Sequence, residues 1–329
     1  MTRRTLRAWI SLLMVGAFCG NAFLMGQVQK KDLSKSERLN IASRKLTAKK
    51  YSLVYKFKPG ETIYWDTEQV DSGEVSLQKK KELTKSRTLS TKKWRIDDVF
   101  ENGEFIVVQS IESVDLWQQI DKQPPISFDS RIDTKPHPRF EDVAEKVGIE
   151  LVSFKAKPNG ELIYKKANYS DVDLGVGGII VKFPDRPIGV GETWFHPSEL
   201  RIPLPTGPFK RVKIRRAFKL LDVSHDVAKI SVNTQVLTPI RDPEIEVQLM
   251  HQVTKGIIRF DIKKGRILSR ESNWNRTVQG FSTAESLKKY IGRFKETLKS
   301  RQEVESRNSL AVKDSVRIKL ANDGPIFRD

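Results

Sequence analysis

The chain of 329 residues carries 59 Lys and Arg against 41 Asp and Glu, which gives a formal net charge of +18 at pH 7. Hydrophobic residues make up 38% of it, and only one stretch is apolar enough to enter a bilayer, so a protein with several membrane spans is excluded. Its 16 Phe, 6 Trp and 6 Tyr exclude wholesale disorder, since that much aromatic surface is too large to leave solvated.

Residues 1–26 have the form of a secretory signal peptide. Three arginines precede a short apolar run at 10–18, no acidic residue is present, and small residues follow. Cleavage is expected near Ala22 or Gly26, and the alternative is an uncleaved N-terminal membrane anchor. The sequence therefore predicts an exported protein of the periplasm or cell envelope, whose mature part has no cysteine for a disulfide.

The residues that follow change from a polar segment to strands. Residues 27–50 are polar and rich in Lys and Arg, which indicates a basic linker. From residue 51 onward apolar and polar side chains alternate, as at Leu53, Tyr55 and Phe57, and this period of two is typical of a strand. Similar runs recur along the chain and are separated by Gly-containing turns. A mainly β fold of antiparallel strands is predicted.

The order of these signals occurs twice, which indicates a tandem duplication of one antiparallel β unit. We place the first β unit at 51–170, a connector at 171–184 and the second β unit at 185–280. The alternative is that any two β domains share aromatic strands and Gly turns. The matched positions are Gly60 with Gly191, Trp94 with Phe218, and Gly160 with Gly265.

Residues 281–305 change to a helical spacing. Ser282 and Glu285 have the separation of a capping box, in which each side chain satisfies a backbone donor of the other residue. Apolar residues from Leu287 to Leu298 then fall on one side of a helix. We expect a C-terminal α-helix at 281–305 and a flexible tail at 306–329.

Three short motifs carry a resemblance to a known family. They are FPDRPIGVGETW at 183–194, YKFKPGE at 55–61 and IIRFD at 257–261. With these motifs the chain resembles an uncharacterised family of exported, β-rich bacterial proteins of the planctomycete type, over about residues 51–280. The resemblance implies an envelope location and a β-rich fold, and it carries no activity and no catalytic residue.

Motifs for catalysis, metals and cofactors are missing from the sequence. Gly189-Val190-Gly191 begins like a dinucleotide-binding loop, but it lacks the third glycine and a strand–helix context. The four histidines are dispersed, and no two have the spacing of a metal site on one element. Glu61 and Glu192 could act as paired carboxylates of a glycosidase, although their place after a glycine suits strand entry. The sequence predicts no catalytic residue, no metal and no cofactor.

Two segments are strongly basic. Residues 79–95 contain one acidic residue, and residues 209–219 contain none. In the second segment Arg211, Lys213 and Arg215 alternate with apolar residues, so one side of a strand is cationic. Such a side is a solvated face, an edge strand that lysines protect from aggregation, or a surface that binds a polyanion. The candidate polyanion-binding residues are Lys79, Lys80, Lys81, Lys85, Arg87, Lys92, Lys93, Arg95, Lys210, Arg211, Lys213, Arg215 and Arg216.

These observations favour an exported, non-enzymatic binding or structural protein that contacts an anionic envelope polymer or a membrane surface through the two basic strands. The alternative is a carrier of an apolar ligand, in which curved β units enclose a cavity capped by the C-terminal helix. An envelope hydrolase is the third possibility. Nucleic acid is not expected as a partner, because export argues against it and no recognition motif is present.

The signal peptide predicts where the mature protein begins. We expect protein purified from the cell envelope to start near Phe23 or Gln27, because signal peptidase cuts after small residues. N-terminal sequencing and intact mass both measure this. An intact N-terminus would show that the segment is kept as a membrane anchor.

Overall fold

The computed structural model describes residues 49–78, 80–168, 180–204 and 209–322, and for residues 312–322 the backbone alone. The predicted signal peptide, nearly all of the basic linker, Lys79 and most of the connector lie outside these ranges. The fold is mainly β, with 58% of residues in strands and 10% in helices, which confirms the predicted class.

The described residues form fourteen strands and three α-helices. The strands are β1 (Lys50–Tyr51), β2 (Thr62–Leu77), β3 (Lys80–Val99), β4 (Phe105–Ile120), β5 (Ile126–Asp129), β6 (Glu150–Ala156), β7 (Leu162–Ala167), β8 (Ile188–Gly189), β9 (Thr193–Ile202), β10 (Lys210–Ser224), β11 (Val227–Val236), β12 (Lys255–Asp261), β13 (Arg266–Gln279) and β14 (Leu287–Lys299). The helices are α1 (Glu141–Ala144), α2 (Pro243–Leu249) and α3 (Arg301–Asn322), and a 3₁₀ turn (Pro138–Phe140) precedes α1.

Within the described ranges, twelve strands form one antiparallel sheet. Their order is β7-β6-β4-β3-β2-β14-β13-β12-β11-β10-β9, with β5 beside β4, while β1 and β8 form a separate pair. Most neighbours follow each other in the chain, but β14 returns to pair with β2, from Leu287 opposite Ser76 to Lys299 opposite Tyr64. The two predicted β units are therefore halves of one sheet, and the described residues belong to one compact unit.

The predicted helix at 281–305 is wrong, because β14 occupies most of it. β14 hydrogen-bonds to β13 on one side and to β2 on the other, and this pairing on both edges outweighs the helical spacing of its apolar residues. The backbone N–H groups of Ser282 and Thr283 donate to Ser286 Oγ rather than starting a helix.

The C-terminal helix begins later than predicted and takes up much of the predicted flexible tail. Ser300 and Glu303 form the capping box at its start. The N–H of Ser300 donates to Glu303 Oε2 at 2.8 Å, and the N–H of Glu303 donates to Ser300 Oγ at 3.2 Å. Helix α3 then extends to Asn322. The sequence has the capping-box pattern at Ser300 and Glu303 as well as at Ser282 and Glu285, where the helix was predicted to begin.

The sheet curls around the chain segment that precedes β2. Phe105 on β4 and Phe260 on β12 are five strands apart, which is about 24 Å in a flat sheet. The ring of Tyr55 nevertheless contacts both, with centroid distances of 6.0 Å to Phe105 and 5.5 Å to Phe260. Tyr55 therefore fills the space between the two halves of the curled sheet.

A second segment completes this core from the other half of the chain. Val181 and Phe183 are buried beside Tyr55, and the Tyr55 hydroxyl donates to the carbonyl of Val181 at 3.2 Å. Phe183 lies 4.7 Å from Phe260, measured between ring centroids. Burial raises the pKa of Tyr55 above its usual value, so this hydroxyl stays neutral and available as a donor. The core therefore depends on two irregular segments as well as on the sheet.

Equivalent backbone contacts occur where each half of the sheet begins. Gly60 N–H donates to the carbonyl of Ile96 and Gly191 N–H to that of Leu220, at 2.8 and 2.7 Å. The return bonds, from Ile96 N–H to Glu61 and from Leu220 N–H to Glu192, measure 2.8 and 3.0 Å. Strands β2–β7 and β9–β13 also follow each other in the same order. These equivalences support the tandem duplication, which stays a prediction.

The glycine turns give a stability test. A Cβ on Gly160 would lie 2.8 Å from Tyr55 Cε2 and closer still to the carbonyl of Val181, and one on Gly265 would lie 2.5 Å from Lys56 N. A Cβ on Gly60 or Gly191 would meet nothing within 4 Å. All four have positive φ, so Gly→Ala at Gly60 or Gly191 should cost about 1–2 kcal/mol of unfolding free energy from backbone strain alone.

The same substitution at Gly160 or Gly265 adds a steric clash, and we expect a loss of more than about 3 kcal/mol. Urea denaturation of the four single variants measures the difference. Equal losses at all four positions would contradict the close packing of the two turns against the core.

Candidate binding groove on the open face of the sheet

The two faces of the sheet differ in burial. Side chains alternate along a strand, so Ile63 and Trp65 of β2 lie on one side, together with Trp94 of β3, which pairs with Ile63. All three are buried in the core, and we call this side the core face. The opposite side carries Val70 and Ile291, both 38% exposed, and we call it the open face.

Lys92 is on the core face, so its prediction as a polyanion-binding residue is wrong. Its ammonium forms an ion pair with Glu296 Oε1 and lies 4.6 Å from the ring centroid of Trp65 and 5.2 Å from that of Trp94. Side chains on β3 alternate between the two faces, so the residue next to an exposed lysine points into the core. The number of charges in a segment does not show which of its lysines point inward.

Glu296 is at the centre of this buried charge cluster and is 2% exposed. Arg270 Nη2 lies 3.0 Å from Glu296 Oε2, on the other side from Lys92. Burial by itself would raise the pKa of Glu296, but the charges of Arg270 and Lys92 outweigh it and hold the pKa below its usual value. Glu296 is therefore ionised and stabilises two buried cations.

Several predicted residues are accessible but paired within the protein. These ion pairs offset part of the positive charge of the two basic segments, and pairs of this exposed kind contribute little to stability. The pairs are Lys81 with Glu74 (2.8 Å), Lys93 with Glu112 (3.0 Å), Arg95 with Asp97 (2.7 Å) and with Glu150 (2.8 Å), and Arg211 with Glu199 (3.5 Å).

The remaining residues of the second basic segment are divided between the two faces. Arg215 is on the open face, where Nε donates to Gln235 Oε1 at 2.6 Å and the guanidinium lies 4.7 Å from the Phe195 ring centroid. Lys213 is exposed on the same face. Arg216 is on the core face, where burial and the charge of Arg270 lower its pKa. Lys80 and Lys210 are the first residues of β3 and β10.

Lys85 and Arg87, in contrast, line a groove of about 1180 Å³ on the open face. The groove follows a single row of directly paired residues across seven adjacent strands, from β4 to β11. Six strand spacings correspond to about 29 Å measured along the curved sheet. The row is Trp117, Arg87, Val70, Arg293, Asn273, Lys255 and Asn233.

The groove is strongly cationic. Five basic residues and one acidic residue border it, but the side chain of the acid, Asp71, alternates with Val70 and lies on the core face, where it accepts hydrogen bonds from Tyr290 Oη at 2.6 Å and from Gln69 Nε2 at 2.8 Å. In the described part of the chain no carboxylate lies within 4 Å of the basic groups of Lys85, Lys255 or Arg276. Arg87 and Arg293 have the acidic partners Asp115 at 3.6 Å and Glu68 at 3.1 Å.

The other lining residues supply hydrogen bonds and apolar contact. Asn233, Asn273 and Asn275 each carry an amide that both donates and accepts, and Trp117 offers an aromatic surface. Cations, amides and one aromatic ring along a trough can bind an elongated molecule that has both anionic and hydroxyl groups.

Most of the groove residues were missed by sequence reasoning. Lys255, Arg293, Asn233 and Asn273 lie on four different strands, and only the strand register places them in one row. Alternation within each strand shows which residues share a face of the sheet. Which of them are neighbours depends on the order of the strands, above all on the position of β14 beside β2.

Helix α3 begins next to the groove. Arg307 Nη1 lies 2.7 Å from Asp66 Oδ2, and Arg307 also donates to Thr91 Oγ1. Asp66 and Thr91 are a directly paired couple on the open face, on the same strands as Val70 and Arg87. The first two turns of α3 therefore cover the open face beside the groove. A smaller cavity of about 470 Å³ lies here, lined by residues of β2, β3 and β14 together with Arg307.

The described residues contain no group of three or more His, Cys, Asp or Glu placed to hold a metal ion. None of the helices in those ranges is both long and apolar enough to cross a membrane.

Comparison with known proteins gives no family. No protein-family model and no curated protein matches the chain. Among solved structures, lipovitellin, studied for its lipid–protein interactions, is 14% identical with a TM-score of 0.42, and the match covers 74% of this chain and 26% of that one. The chain thus spans about a quarter of lipovitellin.

Two further structures match more weakly. The translocator domain of the autotransporter NalP from Neisseria meningitidis is 7% identical, with a TM-score of 0.22 and coverage of 80% of this chain and 94% of that one. The Salmonella secretin InvG is 10% identical, with a TM-score of 0.18 and coverage of 84% and 70%. Similarities at this level carry no argument about function.

The buried cluster predicts a pH-dependent stability. Glu296→Gln leaves Lys92 and Arg270 buried without their anion, so we expect a loss of about 3–5 kcal/mol in unfolding free energy at pH 7. Because the folded-state pKa of Glu296 is lowered, its contribution is present above the unfolded pKa of about 4.3 and is lost as the pH falls through the folded value.

Urea denaturation of wild type and Glu296→Gln at pH 7 and at decreasing pH measures both effects, and the gap between the two proteins should narrow in acid. Glu68→Gln, which removes the exposed partner of Arg293, is the matched control and should cost no more than about 1 kcal/mol. A Glu296→Gln protein as stable as the control would contradict the role of the cluster.

Proposed function

We propose that the protein is a binding protein that holds an elongated anionic polymer in the groove of its open face. The observation that carries this proposal is the row of paired residues from Trp117 to Asn233, with cations repeated along it. The predicted signal peptide supports an envelope polymer as the partner.

The charge distribution supports an anionic partner. Lys85, Lys255 and Arg276 form no ion pair within 4 Å in the described part of the protein, so three positive charges of the groove can meet anions from outside. Their attraction for a polyanion includes the release of counterions bound to the polymer, which makes binding strongly dependent on salt.

The shape of the groove favours a chain-like polymer over a flat membrane surface. Val70 lines it between Arg87 and Arg293 of the neighbouring strands, and Ile291 lines it between Ser72 and Asn275. A flexible or narrow polymer can follow this trough, whereas a planar surface would touch only its rims. The amides of Asn273 and Asn275 suit hydroxyl groups, so a polysaccharide that carries carboxylate, sulfate or phosphate groups fits best.

The proposal changes the set of residues that the sequence indicated. Lys85 and Arg87 are kept in the site. Arg211, Lys213 and Arg215 extend the same open face towards the edge strand β9, since β10 is next to β11. Their contribution is expected to be smaller, because Arg211 and Arg215 already have partners within the protein.

Removal of groove charges tests the proposal. The triple variant Lys85→Gln, Arg87→Gln, Lys255→Gln should elute from immobilised heparin, used as a probe polyanion, at a clearly lower salt concentration than wild type. Each lost contact also lowers the slope of log affinity against log salt, by about 0.7–0.9 per contact. All three side chains are exposed, so the melting temperature should change little.

The matched control removes the same charge elsewhere, with Lys165→Gln, Lys166→Gln and Lys264→Gln, which are exposed on β7 and in the β12–β13 turn. The variant Arg211→Gln, Lys213→Gln, Arg215→Gln should show an intermediate loss. Equal losses from the groove triple and the control would mean that net charge alone attracts the polymer. If the groove triple loses binding to anionic vesicles to the same extent as binding to heparin, a membrane surface is favoured as the partner instead.

A further inference from the structure

A second cavity lies under helix α2, next to the groove. It has a volume of about 300 Å³ and is lined mostly by aliphatic side chains, among them Val236, Ile240, Leu249, Met250, Val253 and Val278. Leu249 and Met250 are buried, while Val236 and Val253 are half-buried.

The cavity and the groove meet at a notch in the sheet. β12 begins at Lys255, whereas its neighbours run past this point, β11 to Val236 and β13 to Gln279. Beyond the start of β12 there is therefore no strand between β11 and β13. Val253 and Arg276 border this notch, and both residues line the groove as well as the cavity.

Positive charge lies where the two spaces meet. Lys255, on the open face, and Arg276, on the same side of β13 as the cavity residue Val278, are exposed beside the notch, and neither has a carboxylate within 4 Å in the described part of the chain. Glu246 also borders the cavity, but it is exposed on α2 and forms no ion pair with Arg276 among the described residues. An apolar cavity with cations at its mouth is complementary to an anion that carries an aliphatic chain.

We infer that the anionic molecule bound in the groove carries an aliphatic chain, which enters the cavity through the notch while its anionic group binds Lys255 and Arg276. The inference rests on the proposed function, since the groove supplies the site for the anion. It assigns the ligand to the class of acylated or alkylated anions. Leu249 and Met250, which are buried residues of the lining, limit the depth to which the chain can enter.

The length of the chain can be varied on the wild-type protein. Titration calorimetry with dodecyl phosphate, kept below its critical micelle concentration, is compared with butyl phosphate. Each buried methylene improves affinity by about fourfold, so burial of only four of the additional methylenes gives roughly a 200-fold difference. Equal affinity for the two phosphates would overturn the inference.

A pair of adjacent substitutions locates the chain. Val236→Trp fills the cavity, whereas Leu237→Trp places the same side chain on the neighbouring residue, which is 47% exposed. We expect Val236→Trp to weaken dodecyl phosphate at least tenfold with little effect on butyl phosphate, and Leu237→Trp to change neither. If both variants bind dodecyl phosphate like wild type, the chain lies elsewhere and the inference is overturned.

The groove variants separate this inference from the proposed function. If heparin binding depends on Lys85, Arg87 and Lys255 but chain length has no effect, the polymer site is supported and the chain site fails. If chain length matters but heparin binding follows only net charge, the cavity is supported as a site for alkyl anions and the polymer proposal fails. Since the chain-length series uses wild type, it is decisive even if Val236→Trp does not fold.

Discussion

The pairing of β14 with β2 holds the rest of this structure together. All thirteen residues of β14 have a partner on β2, so the last strand of the sheet binds the first long strand of the chain. Without this ladder the two meanders would be separate sheets, each with an exposed edge that could pair with another chain. The pairing of β14 with β2 places Arg293 at the centre of the groove and Glu296 between Lys92 and Arg270.

The buried cluster and the groove also constrain each other through strand alternation. Arg293 and Glu296 are three residues apart, so they face opposite sides of the same strand. A slip of one residue in the β14 register would turn Arg293 towards the core and Glu296 towards solvent. Lys92 and Arg270 would then be buried away from Glu296, at a cost that the native register avoids. The ion cluster thus helps to fix the alignment that builds the proposed binding face.

Sequence reasoning reached the class of fold and the turn glycines, because these depend on local periodicity and on φ angles that only glycine adopts readily. It failed at β14, where the spacing of Leu287, Tyr290, Ile291 and Phe294 suits a helix and partners on both sides make a strand. It recovered Lys85 and Arg87 of the candidate site from charge density. Lys255 and Arg293 were out of reach, since their place in the row depends on which strands are neighbours.

The late position of β14 in the sequence has a consequence for how the binding face comes into existence. Trp65 and Leu298 are cross-strand partners although almost the whole described chain separates them, and contacts of this range form slowly because a large loop must close first. A nascent chain can form hairpins within each half, but its groove lacks a central strand, and Lys92 lacks its counter-ion. The proposed binding face is thus absent until β14 docks, so any binding in the groove requires synthesis of the chain through Lys299.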